Sequence, residues 1–490
     1  MNDAPGGDAV QAPEHADALV FFGATGDLAY KKIFPALQAM VKRGRLDVPV
    51  IGVAKAGWNL EQLQARARDS VEKHGGLDTA AFEKFAGLLR YVDGDYADAA
   101  TFKALRETLG DATHPAHYLA IPPVLFGKVV EQLGGSSCTQ GARVIVEKPF
   151  GRDLASAQAL NRILLGAFDE AHIFRIDHFL GKQPVQNMMF FRFANAFLES
   201  FWNHKYIESV QITLAEDFGV QGRGTFYEQV GTLRDVIQNH LFQVLANLAM
   251  EPPARADSES IRDEKVKVLK SVRALATQDV VRGQFRGYRD EPGVARDSQV
   301  ETFAALRLEI DSWRWSGVPF YLRAGKAMAV TCTEAIIRLK KAPKIFPACE
   351  GVANHVRFRV SPDMTIGLGT MVMDPAETMC GNEVELVACR RDGSHDPGAY
   401  ERVLGDAMAG DPMLFAREDY VEEAWRIVDP VVRAAPPVHV YAPGSWGPEE
   451  VDATVVPPGG WQNPWIDASA AGPSQGARSL LGRRGAQPTQ

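Results

Sequence analysis

The stretch Ala18–Leu28, ALVFFGATGDL, decides the fold class of this chain. An unbroken apolar run ends at Gly23, and the segment after it repeats apolar residues at mostly helical spacing as far as Val41. Strand, tight turn and helix in this order are typical of the first unit of a parallel sheet. Gly23 and Gly26 let a pyrophosphate approach backbone N–H groups at a helix N-terminus. Two glycines in such a turn also occur for purely steric reasons.

The rest of the chain shows two kinds of hydrophobic pattern. Apolar runs alternate with helical stretches in its first part, at 48–58, 117–123 and 142–151. After about residue 180, period-two segments predict antiparallel strands, at 209–217, 303–310, 335–341 and 355–360. A long amphipathic helix is predicted over 231–250. We therefore predict an α/β Rossmann dinucleotide-binding domain followed by a larger α+β domain with a mainly antiparallel sheet.

Length and composition set the domain plan. A chain of 490 residues is too long for one ordinary domain. Both ends are rich in small and polar residues without periodicity. We predict a flexible extension at 1–17, the dinucleotide-binding domain at 18–177, a substrate and dimerisation domain at 178–467, and a flexible tail at 468–490.

Charge and cysteine usage exclude several classes of protein. The net charge is -8 and no block of like charges occurs, so binding to nucleic acid or to an anionic membrane is not expected. The start of the chain lacks the basic and apolar regions of a secretory signal, and no apolar run reaches ~18 residues. The five cysteines are scattered and predicted to be free thiols in a reducing cytoplasm.

The predicted cofactor is NADP, with NAD as the alternative. Lys55 stands at the end of the second predicted strand, where an acidic residue would bind the free ribose 2′-hydroxyl of NAD. A cation there suits the 2′-phosphate of NADP, although a lysine at a strand end is by default only a solvated charge. The predicted cofactor-binding residues in this region are Gly23, Thr25, Gly26, Asp27, Leu28 and Lys55.

Five motifs, spread in order along the chain, carry a family resemblance. They are GATGDLAYKKIFPAL at 23–37, EKPFG at 147–151, FRIDHFLGK at 174–182, RDVIQNHLFQ at 234–243 and YAPGSWGP at 441–448. Together they resemble the glucose-6-phosphate dehydrogenase family, from about residue 19 to residue 465. The resemblance implies oxidation of glucose 6-phosphate to the 6-phosphoglucono-1,5-lactone, the first step of the pentose phosphate pathway.

Oxidising a sugar hemiacetal requires a general base, because the anomeric hydroxyl loses a proton as hydride leaves C1. His240, on the long predicted helix, is the candidate base. A lone histidine on a helix is more often structural. The resemblance implies that the carboxylate of Asp177 pairs with His240, which would fix the tautomer and stabilise the imidazolium.

Further residues are candidates for holding the substrate. His178 and Lys182 are four residues apart, so on a helix both would project to one side and hold a phosphate; an ion-paired surface turn is the alternative. The resemblance places Lys148 against the sugar and the nicotinamide, and Lys326 against the substrate. Glu216 and Asp235 offer carboxylates to sugar hydroxyls. No metal site is predicted, because the histidines do not fall at ligand spacing with carboxylates.

Several positions depart from the family pattern. Phe179 stands where a tyrosine is expected, Thr331 where a second basic residue is expected, and Lys55 where an arginine is usual. The first two leave open an NAD(P)-dependent dehydrogenase of a non-phosphorylated or otherwise C6-modified hexose. By resemblance, the second domain is expected to form a homodimer or homotetramer.

Overall fold

The computed structural model describes residues 15–346, 351–375, 379–389 and 397–464. Its strands are β1 (Ala18–Phe22), β2 (Val50–Ala54), β3 (Leu89–Asp93), β4 (Pro115–Leu119), β5 (Arg143–Glu147), β6 (Ile173–Ile176), β7 (Ile207–Ala215), β8 (Val280–Phe285), β9 (Phe303–Glu309), β10 (Pro319–Gly325), β11 (Cys332–Leu339), β12 (His355–Ser361), β13 (Thr365–Met373), β14 (Gly381–Cys389), β15 (Phe415–Ala416) and β16 (Val438–Tyr441).

Its α-helices are α1 (Phe34–Lys42), α2 (Leu60–His74), α3 (Thr79–Leu88), α4 (Ala99–Leu109), α5 (Phe126–Gly135), α6 (Leu154–Leu165), α7 (Gln183–Ala194), α8 (Ala196–Phe201), α9 (Gly224–Thr232), α10 (Phe242–Ala249), α11 (Ser258–Ser271), α12 (Ala399–Ala409), α13 (Glu418–Ala434) and α14 (Glu450–Thr454). Segments of π-helix occur at Ala29–Ile33 and Leu233–Leu241. Short 3-10 helices occur at Pro123–Leu125, Glu170–His172, Thr277–Asp279 and Tyr288–Asp290. No helix in the described ranges is long and apolar enough to cross a membrane.

The chain forms two compact units, each made of three segments. Among the described residues, the first unit takes in those between 15 and 182, between 253 and 263 and between 397 and 421. The second takes in those between 183 and 252, between 264 and 389 and between 422 and 464. The predicted domain boundaries after residues 17, 177 and 467 stay predictions.

The predicted terminal extension and tail lie outside the described residues, apart from positions 15–17. The N–H of Ala16 donates to the carbonyl of Met408 at 2.8 Å. The carboxylate of Asp17 accepts from the backbone N–H groups of Thr113 at 2.6 Å and His114 at 2.9 Å. These bonds fix the start of β1 within the first unit.

The first unit is built on a seven-stranded sheet in the order β15-β6-β5-β4-β1-β2-β3. Its strands are parallel except β15, which runs antiparallel to β6. Strands β1, β2, β4 and β5 are buried at every position, which explains their mainly apolar sequences. The strand order reverses at β1, which lies between β4 and β2. Ligands of open α/β sheets bind outside the carboxyl ends of the strands at such a point.

The second unit is built on a nine-stranded sheet in the order β14-β13-β12-β11-β7-β10-β9-β8-β16. Most pairs are antiparallel, but β7 pairs with β10 and β8 with β16 in parallel. The predicted fold class is confirmed. The two parallel pairings are not visible in the sequence, because an alternating pattern reports which face is covered and not the direction of the neighbouring strand.

The predicted helix over 231–250 differs from the structure at its start. Gly231 has φ 63° and ψ 176°, so it is not helical and separates α9 from the segment that follows. Residues Leu233–Leu241 then form a π-helix that continues into α10. The apolar residues of this predicted amphipathic helix are buried, including Leu233, Ile237 and Leu241. Single π-helical turns inside a helix are often found at functional sites.

Candidate active site

The turn after β1 fits a dinucleotide pyrophosphate. Gly23 has φ +87°, and a Cβ there would lie 2.3 Å from the carbonyl oxygen of Ala120 on the neighbouring β4 segment, so this position requires glycine. A Cβ on Gly26 would approach the oxygen of Gly23 to 3.2 Å. Gly26 and Asp27 are exposed, and Thr25 and Leu28 are partly exposed. Because the helix starts here, its first N–H groups point toward the space where an anion would bind.

Lys55 lies one residue beyond β2, as predicted, but it is already engaged. Its Nζ is 2.7 Å from Oδ2 of Asp95. That carboxylate holds the pKa of Lys55 above its usual value, through a hydrogen bond and its charge. The side chain of Lys55 is 71% exposed. The predicted contact of Lys55 with a 2′-phosphate stays a prediction.

Lys148 and Asp177 emerge side by side from the carboxyl edge of the first sheet. Glu147 at the end of β5 is the register partner of Ile176 at the end of β6, and the two predicted site residues come directly after them. Asp177 is 2% exposed, and its Oδ1 accepts the N–H of Phe179 at 3.0 Å. The edge that carries the glycine turn therefore also carries an amine and a carboxylate.

His178 and Lys182 lie in a pair of turns and not on a helix. The N–H of Leu180 donates to the carbonyl of Asp177, and that of Lys182 to the carbonyl of Phe179, both at 3.0 Å. The Nζ of Lys182 lies 3.6 Å from the ring centroid of Phe179, a cation–π contact. Of the two arrangements open from the sequence, a helix and a turn, the structure has turns, and they keep both basic residues at one corner of the sheet.

Two tyrosines that the sequence patterns do not indicate, Tyr118 and Tyr400, contact residues at this end of the sheet. The rings of His178 and Tyr400 are stacked, with centroids 6.3 Å apart and planes 7° from parallel. Tyr400 also hydrogen-bonds to the carboxyl of Glu147, which accepts from the hydroxyl of Tyr118 at 2.6 Å. Burial raises the pKa of Glu147 from 4.5 to about 7, against the lowering effect of these hydrogen bonds.

We expect the Glu147→Gln variant to gain stability relative to wild type as pH rises. The pKa of the Glu147 carboxyl is higher in the folded than in the unfolded wild-type chain, so the folded chain binds more protons between pH 4.5 and about 7. The wild type therefore loses stability as pH rises through that range, whereas the variant has no carboxyl to ionise. The shift corresponds to roughly 3 kcal/mol at most. Differential scanning calorimetry should show a larger gain in Tm at pH 8 than at pH 5. Glu131→Gln, at an exposed site, is the control, and an equal gain at both pH values would contradict the account.

In the second unit, Glu216 and Lys326 form an ion pair at the carboxyl ends of two parallel strands. Ala215 on β7 is the register partner of Gly325 on β10, and the pair follows directly. The hydroxyl of Tyr441, in the YAPGSWGP motif, donates to the carbonyl of Lys326 at 2.6 Å. The motif therefore fixes the backbone that carries the amine.

Thr331 does not extend this cationic site. Its Oγ1 accepts the N–H of Asp217 at 3.0 Å and donates to the carboxylate of the same residue. It ties the segment after β10 to the segment after β7. Among the described residues here, Lys326 supplies the positive charge that the family pattern places at two positions.

The π-helix carries Asp235 and His240. Tyr227 lies close to this helix: its hydroxyl hydrogen-bonds to Thr232 at 2.8 Å, and Lys326 lies 5.6 Å from its ring centroid. Burial raises the pKa of Tyr227, and the charges of Asp235 and Glu216 add to the rise. The structure thus brings three predicted substrate residues, Glu216, Asp235 and Lys326, around one buried tyrosine.

His240 is 4% exposed, and its backbone is held by a neighbouring amide. Its N–H donates to Oδ1 of Asn239 at 2.6 Å, and Nδ2 of Asn239 donates to the carbonyl of Arg234 at 3.0 Å. The helix carries its candidate base at a buried and fixed position. The predicted pairing with Asp177 stays a prediction.

Substituting Gly231 should destabilise this helix. A Cβ there would lie 2.5 Å from Oε1 of Glu301, whose carboxylate caps the N–H of Leu233 at 3.1 Å. We expect Gly231→Ala to cost about 2–4 kcal/mol, from backbone strain and this clash. Gly317→Ala is the matched control, since Gly317 has φ +78° but open space around it. Thermal unfolding should show a clearly larger loss of Tm for Gly231→Ala; equal losses would contradict the account.

Comparisons with known proteins cover both parts of the chain. The family model "Glucose-6-phosphate dehydrogenase, NAD binding domain" matches residues 20–187, and the model of the C-terminal domain matches residues 189–462. Glucose-6-phosphate 1-dehydrogenase 1 of Mycobacterium bovis is 43% identical over 442 residues, which are 89% of this chain and 93% of that protein. The glucose-6-phosphate 1-dehydrogenase of Rhizobium meliloti is 37% identical over 467 residues, with 89% and 95% covered.

Solved structures give the same result. The crystal structure of glucose-6-phosphate 1-dehydrogenase from Mycobacterium avium has a TM-score of 0.87 and 44% identity, covering 93% of this chain and all (100%) of that one. A glucose-6-phosphate dehydrogenase in complex with its substrate glucose-6-phosphate has a TM-score of 0.83 and 33% identity, with 90% and 98% covered. This chain belongs to the glucose-6-phosphate dehydrogenase family.

Proposed function

We propose that this chain catalyses the NADP-dependent oxidation of D-glucose 6-phosphate to 6-phospho-D-glucono-1,5-lactone. One observation carries the proposal: the carboxyl edge of the first sheet combines a glycine turn suited to a pyrophosphate with the basic turns around His178 and Lys182. An anion-binding corner beside a dinucleotide edge suits a phosphorylated substrate. Family membership over both parts of the chain supports the reaction type.

The roles follow from the chemistry of each side chain. His240 takes the proton from the C1 hydroxyl, and the Asp177 carboxylate orients the imidazole and stabilises its charged form. The bound nicotinamide supplies the acceptor for the hydride that leaves C1. The glycine turn, from Gly23 to Leu28, holds the pyrophosphate of the cofactor at the helix start.

The remaining residues orient the sugar. His178 and Lys182 bind the 6-phosphate through charge-assisted hydrogen bonds. Lys148, Glu216, Asp235 and Lys326 contact the hydroxyl groups. The Glu216–Lys326 ion pair fixes a donor and an acceptor next to each other before substrate arrives, which reduces the ordering cost of binding.

Two specific contacts favour a second class of substrate. Lys182 rests on the Phe179 ring, which offers no hydroxyl, and Thr331 is bonded to Asp217. Both reduce the donors for a phosphate relative to the family pattern. A dehydrogenase of a non-phosphorylated or otherwise C6-modified hexose is therefore the alternative.

Initial rates of nicotinamide reduction distinguish these functions. Glucose 6-phosphate and glucose are each tested with NADP and with NAD. The proposal expects kcat/KM for glucose 6-phosphate to exceed that for glucose by at least about 100-fold, since a phosphate contributes several charge-assisted hydrogen bonds. Equal values would favour a hexose without a phosphate. No turnover of either sugar would contradict the glucose 6-phosphate assignment and leave another C6-modified hexose as the substrate class.

We also propose that the chain works as a homodimer or homotetramer through the second unit. The outer strands β13 and β14 expose apolar side chains, among them Val372 (52%), Met373 (62%), Leu386 (58%) and Val387 (43%). β14 is the edge strand of the nine-stranded sheet, and exposed apolar side chains on such a strand suit an interaction site. The free thiols of Cys138, Cys332 and Cys380 support a reducing compartment, and we place the reaction in the cytoplasm.

Sedimentation velocity tests the assembly. Wild type is expected to sediment as a dimer or tetramer, and Leu386→Lys to dissociate, because the substitution buries a charge in an apolar contact. Leu165→Lys makes the same substitution at an exposed leucine (37%) of α6 in the first unit, and should leave sedimentation unchanged. A monomeric wild type, or a Leu386→Lys variant with unchanged sedimentation, would count against this surface.

A further inference from the structure

We propose that Asp93 and Asp95 determine the cofactor preference of this chain, by weakening binding of the 2′-phosphate so that NAD binds nearly as well as NADP. The inference deepens the proposed function and rests on its nicotinamide dinucleotide site. Both carboxylates come from the carboxyl end of β3, the strand next to β2. They face the turn after β2, where the 2′ position of the adenosine ribose binds in this fold.

The first observation is that the only predicted cation of this turn is paired. Nζ of Lys55 lies 2.7 Å from Oδ2 of Asp95, and the two side chains are 71% and 46% exposed. The hydrogen bond from Lys55 lowers the pKa of Asp95, so the carboxylate is ionised at neutral pH. The Asp95 carboxylate therefore offsets the positive charge that this ammonium group would present to a 2′-phosphate.

The second observation is that the backbone donors of the same turn also bind a carboxylate. Oδ1 of Asp93 accepts the N–H of Ala56 at 3.0 Å and that of Gly57 at 2.8 Å. It also accepts the hydroxyl of Tyr91 at 2.8 Å. Backbone N–H groups in a turn of this kind are natural ligands of a phosphate. Here a side chain of the protein already occupies them.

The local charge explains the direction of the effect. Lys55 contributes one positive charge and the two aspartates contribute two negative charges, so the three groups together carry a net negative charge. A phosphate dianion is repelled by this group. The ribose 2′-hydroxyl of NAD is neutral and can donate a hydrogen bond to a carboxylate, which is how acidic residues select NAD in this fold.

The experiment is an equilibrium titration of the full chain with NADP and with NAD, without sugar, by isothermal calorimetry at 150 mM salt. Wild type is expected to bind the two dinucleotides with Kd values within about tenfold of each other. Asp95→Asn should tighten NADP about fivefold, as expected for removing one screened charge near a dianion, and leave NAD within about twofold. Adding Asp93→Asn should tighten NADP further.

Asp111→Asn is the matched control, because it changes the net charge equally but precedes β4, at the opposite edge of the parallel sheet. It should leave both Kd values unchanged. A wild-type preference for NADP above about 100-fold, or an unchanged Kd ratio in Asp95→Asn, would overturn the inference. Asp95 is exposed, so Asp95→Asn should not disturb the turn. This variant alone therefore tests the inference, even if the Asp93 substitution disturbs the turn.

Failure of the proposed function is distinguishable from failure of this inference. If the expected Kd pattern appears but glucose 6-phosphate is not oxidised, the inference stands and the substrate assignment fails. If glucose 6-phosphate is oxidised but the Kd ratio does not respond to Asp95→Asn, the function stands and the inference fails.

Discussion

Replacing His240 with asparagine is expected to lower kcat for glucose 6-phosphate oxidation by about 10³-fold, within the range for loss of a general base. Asparagine can keep a hydrogen bond but cannot accept the C1 proton. The KM for the sugar should change by less than about tenfold, because the phosphate and hydroxyl contacts belong to other residues. Steady-state kinetics with saturating NADP measure both constants.

Two controls separate chemistry from folding in this prediction. His240 is buried, so circular dichroism and thermal unfolding must show that the variant keeps its fold. His439→Asn makes the same substitution at a partly exposed histidine that lies 3.0 Å from Glu450, and should leave kcat unchanged. A folded His240→Asn variant that retains more than a tenth of wild-type kcat would rule out His240 as the base.

The second large effect is expected from Lys182→Ala, which should raise KM for glucose 6-phosphate about 30- to 100-fold. A hydrogen bond to a charged group contributes about 1.5–3 kcal/mol, and the loss falls on binding of the phosphate in both ground and transition states. The kcat should stay within about tenfold. Oxidation of glucose, if measurable, should be unaffected, because glucose carries no phosphate.

Two further variants test whether the effect of Lys182→Ala is specific to phosphate binding. Lys128→Ala removes an exposed lysine that pairs with Glu131 on α5, and should not change KM. Phe179→Tyr adds the hydroxyl that the family pattern expects and should lower KM a few-fold. If Lys182→Ala changes the constants for glucose and glucose 6-phosphate equally, Lys182 does not bind the phosphate.

Local sequence patterns predicted much of the architecture. Buried parallel strands such as β1 and β5 produce mainly apolar runs, and the partly exposed strand β12 produces alternation. A polar residue that directly follows such a strand is therefore expected at the carboxyl edge of the sheet. This is why Lys148 could be assigned to the carboxyl edge of the first sheet before its neighbours were known.

Long-range pairing could not be predicted in the same way. Residues 396–421 return to the first unit and bring Tyr400 onto His178, more than 200 positions away along the chain. The π-helix is likewise capped by a residue distant in sequence, since Glu301 lies 68 positions from Leu233. The sequence contains no local pattern that indicates these contacts, because a tyrosine or a glutamate far along the chain has many possible partners.

The carboxylates near Lys55 are not indicated by the sequence around β2 for a related reason. The partner of Lys55, Asp95, follows β3, one strand over in the sheet. Two adjacent parallel strands bring their carboxyl ends together, so acidic residues after β3 are candidate partners of Lys55. The signal was present as D-G-D at 93–95 directly after an apolar strand.

The central claim is hydride transfer from C1 of glucose 6-phosphate to the nicotinamide. The most direct measurement is a single turnover with glucose 6-phosphate deuterated at C1, followed by mass spectrometry of the reduced cofactor. The account predicts that the reduced cofactor gains one mass unit, and that deuterated water with unlabelled sugar gives no gain. Reduced cofactor without the C1 deuterium, or no reduction at all, would contradict it.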